Sequence, residues 1–186
     1  REPQDLKAAI DAAPPAILGL SSYSWNFALS RTFARYAKAR DPRTVTVMGG
    51  PNYPLTEGDQ EAMVRDMVEI DAAVRGPTYE GERALVNFLD RYIACDGSLD
   101  EIQAEPLAGS HWVNRKTGRF ERGPEVPRIT DLDEIPSPYL AGLLDPFFST
   151  GYLPMMQITR GCPFTCAFCN SSVRSNSKAY SHSLEN

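Results

Sequence analysis

The sequence predicts an α/β protein built on a parallel sheet, and three observations lead there. Apolar or β-branched runs of strand length alternate with amphipathic helical stretches. Those runs are followed by serine or glycine, residues that suit strand-end loops. Strands alternating with helices at this spacing imply right-handed βαβ units.

The elements follow in chain order. Asp5 to Ala13 has helical period, with Leu6, Ala9 and Ile10 on one side, and Pro14-Pro15 stops it. Ala16 to Leu20 is a continuous apolar run, as in a parallel strand covered on both faces. A polar loop, Ser21 to Ser24, leads to a helix from about Asn26 to Arg40, striped by Leu29, Phe33, Tyr36 and Ala37. Thr44 to Met48 is β-branched and ends on Gly49-Gly50. A helix from about Asp59 to Glu69 turns Ala62, Met63 and Met67 inward. Ala72 to Arg75 is a third strand, ending on Gly76, and a helix from about Gly81 to Ala94 packs Leu85, Phe88, Leu89, Tyr92 and Ile93. The alternation stops after Asp96-Gly97. His111 to Val113 and Gly118 to Phe120 read as a small hairpin, with His111 a surface or packing residue. Six prolines between Gly123 and Pro154 predict an extended connector, on which Asp131, Asp133 and Glu134 form a solvated face. Met155 to Thr159 reads as a strand running into Arg160-Gly161-Cys162, and Ser171 to Asn186 shows no packing signal. Three parallel strands make a thin sheet, and the first element is a helix, so a fragment lacking elements at both ends is expected.

Charge and composition narrow the function. With 19 Lys+Arg against 24 Asp+Glu the net charge is −5, which disfavours nucleic acid as a partner. A hydrophobic content of 42% suffices for a core. No apolar run approaches a membrane span and the N-terminus lacks signal-peptide character, so a cytoplasmic protein without a membrane partner is expected. Of the four cysteines, Cys162, Cys166 and Cys169 fall within eight residues, while Cys95 ends an amphipathic helix and reads as a packed thiol. Clustered thiols point to metal or redox chemistry in a reducing compartment rather than to a disulfide framework. The spacing C-x3-C-x2-C lacks the paired C-x2-C of structural zinc sites, and His182 stands thirteen residues beyond Cys169. Three close thiolates suit one face of an iron–sulfur cluster, leaving a fourth position for another ligand.

At these residues the chain resembles the radical S-adenosylmethionine (SAM) superfamily. Cys162-Pro163-Phe164-Thr165-Cys166-Ala167-Phe168-Cys169 matches its C-x3-C-x-aromatic-C signature, approached through Gln157 to Gly161. The resemblance implies a [4Fe–4S] cluster held by Cys162, Cys166 and Cys169. It implies SAM chelating the unique iron, with Phe168 beside the adenine, on the first strand and cluster loop of a partial (β/α) barrel. Reductive cleavage of SAM would start radical chemistry, with an electron donor such as flavodoxin or ferredoxin as partner.

Upstream, Gly19-Leu20-Ser21-Ser22-Tyr23, Met48-Gly49-Gly50-Pro51 and Arg75 to Glu82 resemble the cobalamin-binding domain preceding many of these enzymes. Ile129 to Tyr139 is similar to the joining segment of that group. The resemblance implies a truncated Rossmann-like parallel sheet of cobalamin-binding type over residues 1–122, a connector over 123–154 and the start of the barrel over 155–186. Cobalamin would be lined by Ser21, Ser22, Gly49 and Gly50. The D-x-H-x-x-G motif of many cobalamin proteins is absent, and Thr78-Tyr79 interrupts the Gly-Glu-Gly-Glu run usual after Arg-Gly. The implied activity is methylation or rearrangement of an unactivated carbon, with no turnover from this segment alone. The alternatives are a non-catalytic iron–sulfur or zinc sensor and a radical SAM methylthiotransferase, a group that carries further cysteines in its first domain.

Overall fold

The computed structural model describes residues 2–75, 80–149, 151–169 and 178–183. The chain divides into two units, Arg1–Pro127 and Arg128–Asn186.

The first unit is a five-stranded sheet in the order β1 (Ile17–Ser21), β2 (Val45–Gly49), β3 (Ala72–Val74), β4 (Ser110–Val113), β5 (Phe120–Arg122). The first three strands are parallel, in the register Ser21↔Gly49 and Gly49↔Val74, so their carboxyl ends share one edge. β4 and β5 are antiparallel, with His111 opposite Ala73 and Arg122. This corrects the purely parallel sheet expected from sequence. The hairpin does not stand apart but continues the sheet, because fully buried Trp112 shares a core with β2 and β3. A mixed sheet that is parallel at its start is consistent with a Rossmann-like fold.

Strand alternation assigns the two faces. Leu18, Met48 and Ala73 turn toward α1 (Pro3–Ala12), α2 (Phe27–Arg40) and α3 (Glu57–Asp66), against Ile10, Phe33, Ala34, Ala37 and Val64. Val45, Val47, Ala72 and Val74 turn the other way, toward α4 (Gly81–Ala94) and α5 (Leu99–Ile102), against Ala84, Phe88 and Ile102. Burying a side chain the size of Phe88 contributes roughly 1.5–3 kcal/mol. β1 is an edge strand with Gly19 exposed, so it is not covered on both faces as its apolar run suggested.

The helices form where expected, but their stripes are rotated. On α2 the inward residues are Ser30, Phe33, Ala34 and Ala37, and Leu29 faces water. On α3 the fully buried residues are Gln60 and Val64 and Ala62 is exposed, while Met63 and Met67 face the core as expected. On α4 they are Ala84 and Phe88, and Leu85 and Ile93 are exposed. Small residues let helices approach the sheet closely, which an apolar-stripe reading undervalues. Cys95 packs partly buried against the core, as expected of a structural thiol.

Buried charge ties the helices to the sheet. Asp71 is 2% exposed, accepts from the Thr46 amide at 2.8 Å and from Lys38 Nζ at 2.5 Å, and also pairs with Arg115. Buried Glu69 pairs with Arg31 and Arg35.

In the second unit the expected extended connector contains a 3-10 turn at Leu132–Glu134 and α6 (Asp145–Phe148), where Pro146 sits in the first turn. The strand expected over Met155 to Thr159 is only two residues long, β6 (Thr159–Arg160), antiparallel to β7 (Tyr180–Ser181). Met155, Met156 and Ile158 are exposed, and the ladder extends only as far as Ile158 O, which accepts from the His182 amide at 3.1 Å. Asp133 accepts from the Ser183 amide at 3.1 Å and lies 3.2 Å from His182 Nδ1. No helix among the described residues is long and apolar enough to cross a membrane.

Candidate cofactor sites at the strand ends and the cysteine loop

The carboxyl ends of β1 and β2 bring Ser21, Ser22, Gly49 and Gly50 together. The Ser22 amide donates to Gly49 O at 2.6 Å, and the Asn52 amide donates to Ser22 O at 3.1 Å. Gly50 has φ +130°, and a Cβ there would lie 2.6 Å from Ser22 O and 2.9 Å from Ser22 N. Glycine is thus required, for conformation and for space. Asn26 braces the β1 loop, with Nδ2 donating to Ser21 Oγ at 2.7 Å and Oδ1 accepting from the Tyr23 amide at 2.8 Å. Ser22 is 3% exposed, and its Oγ has no hydrogen-bond partner among the described residues. An unpaired buried hydroxyl costs about 1–3 kcal/mol, and such groups ask for an explanation such as a ligand.

Sequence reasoning missed Trp25 in the same loop. Its indole is 79% exposed and stacked on Tyr23 with centroids 4.6 Å apart. The available signal was a tryptophan just past a polar strand-end loop. An orphaned hydroxyl, a glycine-only approach and an exposed aromatic plate on one sheet edge suit a broad, flat ligand such as a corrin. The third expected loop, Gly76 to Glu80, lies outside the described residues except for Glu80, which is fully buried.

His111 is buried, a packing residue rather than a surface one. Its Nδ1 lies 2.8 Å from Tyr53 Oη, and its ring meets Phe120 edge-on at 5.7 Å. Burial, with Arg122 and Arg75 nearby, lowers its pKa to about 4, and burial pushes the Tyr53 phenol well up.

In the second unit the chain turns out of β6 at Gly161, whose φ is +93°. Arg128 anchors the two-stranded ribbon, donating to Lys178 O and, at 3.4 Å, to Arg160 O, with its guanidinium 4.6 Å from the Tyr180 ring centre. The cysteine loop follows. Cys162 is half-buried, Cys166 and Cys169 are exposed, and the Cys169 amide donates to Cys166 O at 3.1 Å. All four cysteines are thiols. One loop holds the three clustered residues, but among the described residues no three metal-binding side chains converge on one point. The donor set suits an iron–sulfur cluster in chemistry and accessibility. Phe168 is 93% exposed and packs into no core.

The site therefore defines an α/β unit with a ligand-type sheet edge, followed in sequence by an exposed three-thiol loop. No family model matches the chain. It is similar to the 2-(S-pantetheinyl)-carbapenam-3-carboxylate methyltransferase of Streptantibioticus cattleyicolor, 32% identical over 90% of this chain and 23% of that protein. It is similar to the cobalamin-dependent radical SAM methyltransferase TokK of Streptomyces tokunonensis, 28% identical over 84% of this chain and 22% of that protein. A third relative, the anaerobic magnesium-protoporphyrin IX monomethyl ester cyclase of Rubrivivax gelatinosus, is 29% identical over 89% and 28%. The chain spans about a quarter of the length of these curated relatives. These similarities support an enzyme of the methyltransferase type and, coarsely, the radical SAM and cobalamin group.

Proposed function

We propose that this chain is the cofactor-holding segment of a cobalamin-dependent radical SAM enzyme acting on an unactivated carbon, with methylation as the first candidate outcome. The single observation that carries the reading is the set Cys162, Cys166 and Cys169 on one loop, in a chain similar to TokK over 84% of its own length. A [4Fe–4S] cluster on these thiolates would supply the electron that cleaves SAM, cobalamin at the sheet edge would carry the methyl group, and a flavodoxin or ferredoxin would be the donor.

The chain's own residues do the holding. Gly161 aims the loop out of β6, and the exposed Cys166 and Cys169 would leave room for a ligand beside a cluster. Phe168, open to solvent, offers an apolar face and backbone to an adenine. Ser21, Ser22, Gly49 and Gly50 would hold a corrin at this edge, where the exposed Trp25 indole would shield it from water.

Anaerobic reconstitution with iron and sulfide, followed by EPR with and without SAM on the whole protein containing this chain, tests the reading. A cluster signal altered by SAM is expected. A signal that SAM leaves untouched would favour an iron–sulfur sensor instead.

A further inference from the structure

A cavity of about 420 Å³ opens in the first unit where β3 meets the β4–β5 hairpin. Arg75, His111, Arg122, Gly123, Glu57 and Glu125 are among its lining residues. Its volume falls in the range of small-molecule sites, well above that of a single ion.

Its donors are held before any ligand arrives. Arg122 Nη1 donates to Gln60 Oε1 at 2.8 Å; Gln60 is 1% exposed and is itself fixed by donating to Pro54 O at 2.9 Å. The Arg75 guanidinium lies 5.6 Å from the Tyr53 ring centre, an arrangement that orients it without neutralising it. The Tyr53 hydroxyl lies 2.8 Å from His111 Nδ1; with the hydroxyl as donor, the ring proton sits on Nε2. His111, 6% exposed, thus offers one further donor from a wall that stays uncharged at neutral pH.

Two carboxylates also line the cavity, and they are the looser groups. Glu57 has an 83% exposed side chain and reaches Arg122 only at 3.5 Å, and Glu125 is exposed. Either can turn to water at little cost, whereas both guanidiniums are braced.

We propose that this basin is an oxyanion pocket, in which Arg75, Arg122 and the His111 imidazole take the phosphate or carboxylate group of a small organic molecule. The inference uses neither the cysteine loop nor the Ser21, Ser22, Gly49 and Gly50 set, although Arg75 begins the third segment of the cobalamin resemblance.

Calorimetric titration with phenyl phosphate, benzoate and neutral benzyl alcohol tests it. Saturable binding of at least one anion and none of the alcohol is expected. Arg75→Ala and Arg122→Ala should each weaken that binding at least about tenfold, the lower end for a lost charge-assisted hydrogen bond. Arg43→Ala, on an arginine 90% exposed, should leave it within about twofold, as fits an exposed charge. Arg75→Lys and Arg122→Lys, which preserve charge and most volume but not the fork, should be intermediate and guard against misfolding. Phenyl phosphate displaced by hydroxocobalamin would make a corrinoid phosphodiester the natural group; phenyl phosphate bound alongside it would make that group a separate molecule. Both outcomes uphold the pocket. No saturable anion binding up to about 10 mM, or equal losses in Arg43→Ala and Arg75→Ala, would overturn it.

Discussion

Replacing Gly50 with alanine puts the candidate corrin edge to a quantitative test. At φ +130° a non-glycine residue is strained by about 1–3 kcal/mol. The new methyl would also stand 2.6 Å from Ser22 O and 2.9 Å from Ser22 N, both backbone atoms fixed by hydrogen bonds to Gly49 and Asn52. Forcing such a contact costs a further 1–3 kcal/mol or so. Together the two give about 2–6 kcal/mol, a large share of the roughly 5–15 kcal/mol that holds a domain folded. The protein's two tryptophans, Trp25 and Trp112, both lie in the first unit, so urea unfolding followed by fluorescence reports that unit alone. With an m-value near 2 kcal/mol/M, the midpoint should fall by about 1–3 M. Gly19→Ala is the control, because its Cβ would meet nothing within 4 Å. A Gly50→Ala protein within about 0.5 kcal/mol of the parent would refute the close-approach argument.

Three further outcomes follow from the same geometry. Asp71→Ala should cost about 3–5 kcal/mol in the same urea assay, because Lys38, Arg115 and the Thr46 amide lose a buried partner. His111 has a folded-state pKa of about 4, below its ordinary 6.5, so the unfolded chain binds more protons between those values. Its contribution is present in full above pH 6.5 and is lost as pH falls toward 4; unfolding free energies across that window should show a shallower slope in His111→Gln. Serine at Cys162, Cys166 or Cys169 should each abolish reconstituted iron absorbance, while Cys95→Ser, in the packed helix end, should retain it.

Much of the fold was legible because the βαβ alternation is strong in the first hundred residues. The helices and parallel strands form close to their expected ranges. The hairpin was legible as a hairpin but not as part of the sheet, since partner choice depends on where Trp112 is buried, a tertiary matter. Helix faces were misjudged where alanine and serine, rather than leucine, meet the sheet, as on α2. The Met155 to Thr159 run reads as a strand in the sequence, but among the described residues the ladder begins only at Ile158 and Thr159, because pairing depends on a partner strand far along the chain. Cys162, Cys166 and Cys169 stood out because three cysteines fall within eight residues. Trp25 and the Arg75–His111–Arg122 basin did not, since the basin is assembled from separate strands that only folding brings side by side.

The most direct test of the central claim is elemental analysis of the chain after anaerobic purification and reconstitution. Iron and inorganic sulfide in equal amounts, at the stoichiometry of one [4Fe–4S] cluster per chain and lost with any of the three loop cysteines, is the expected result. Zinc alone, or no metal at all, would contradict it.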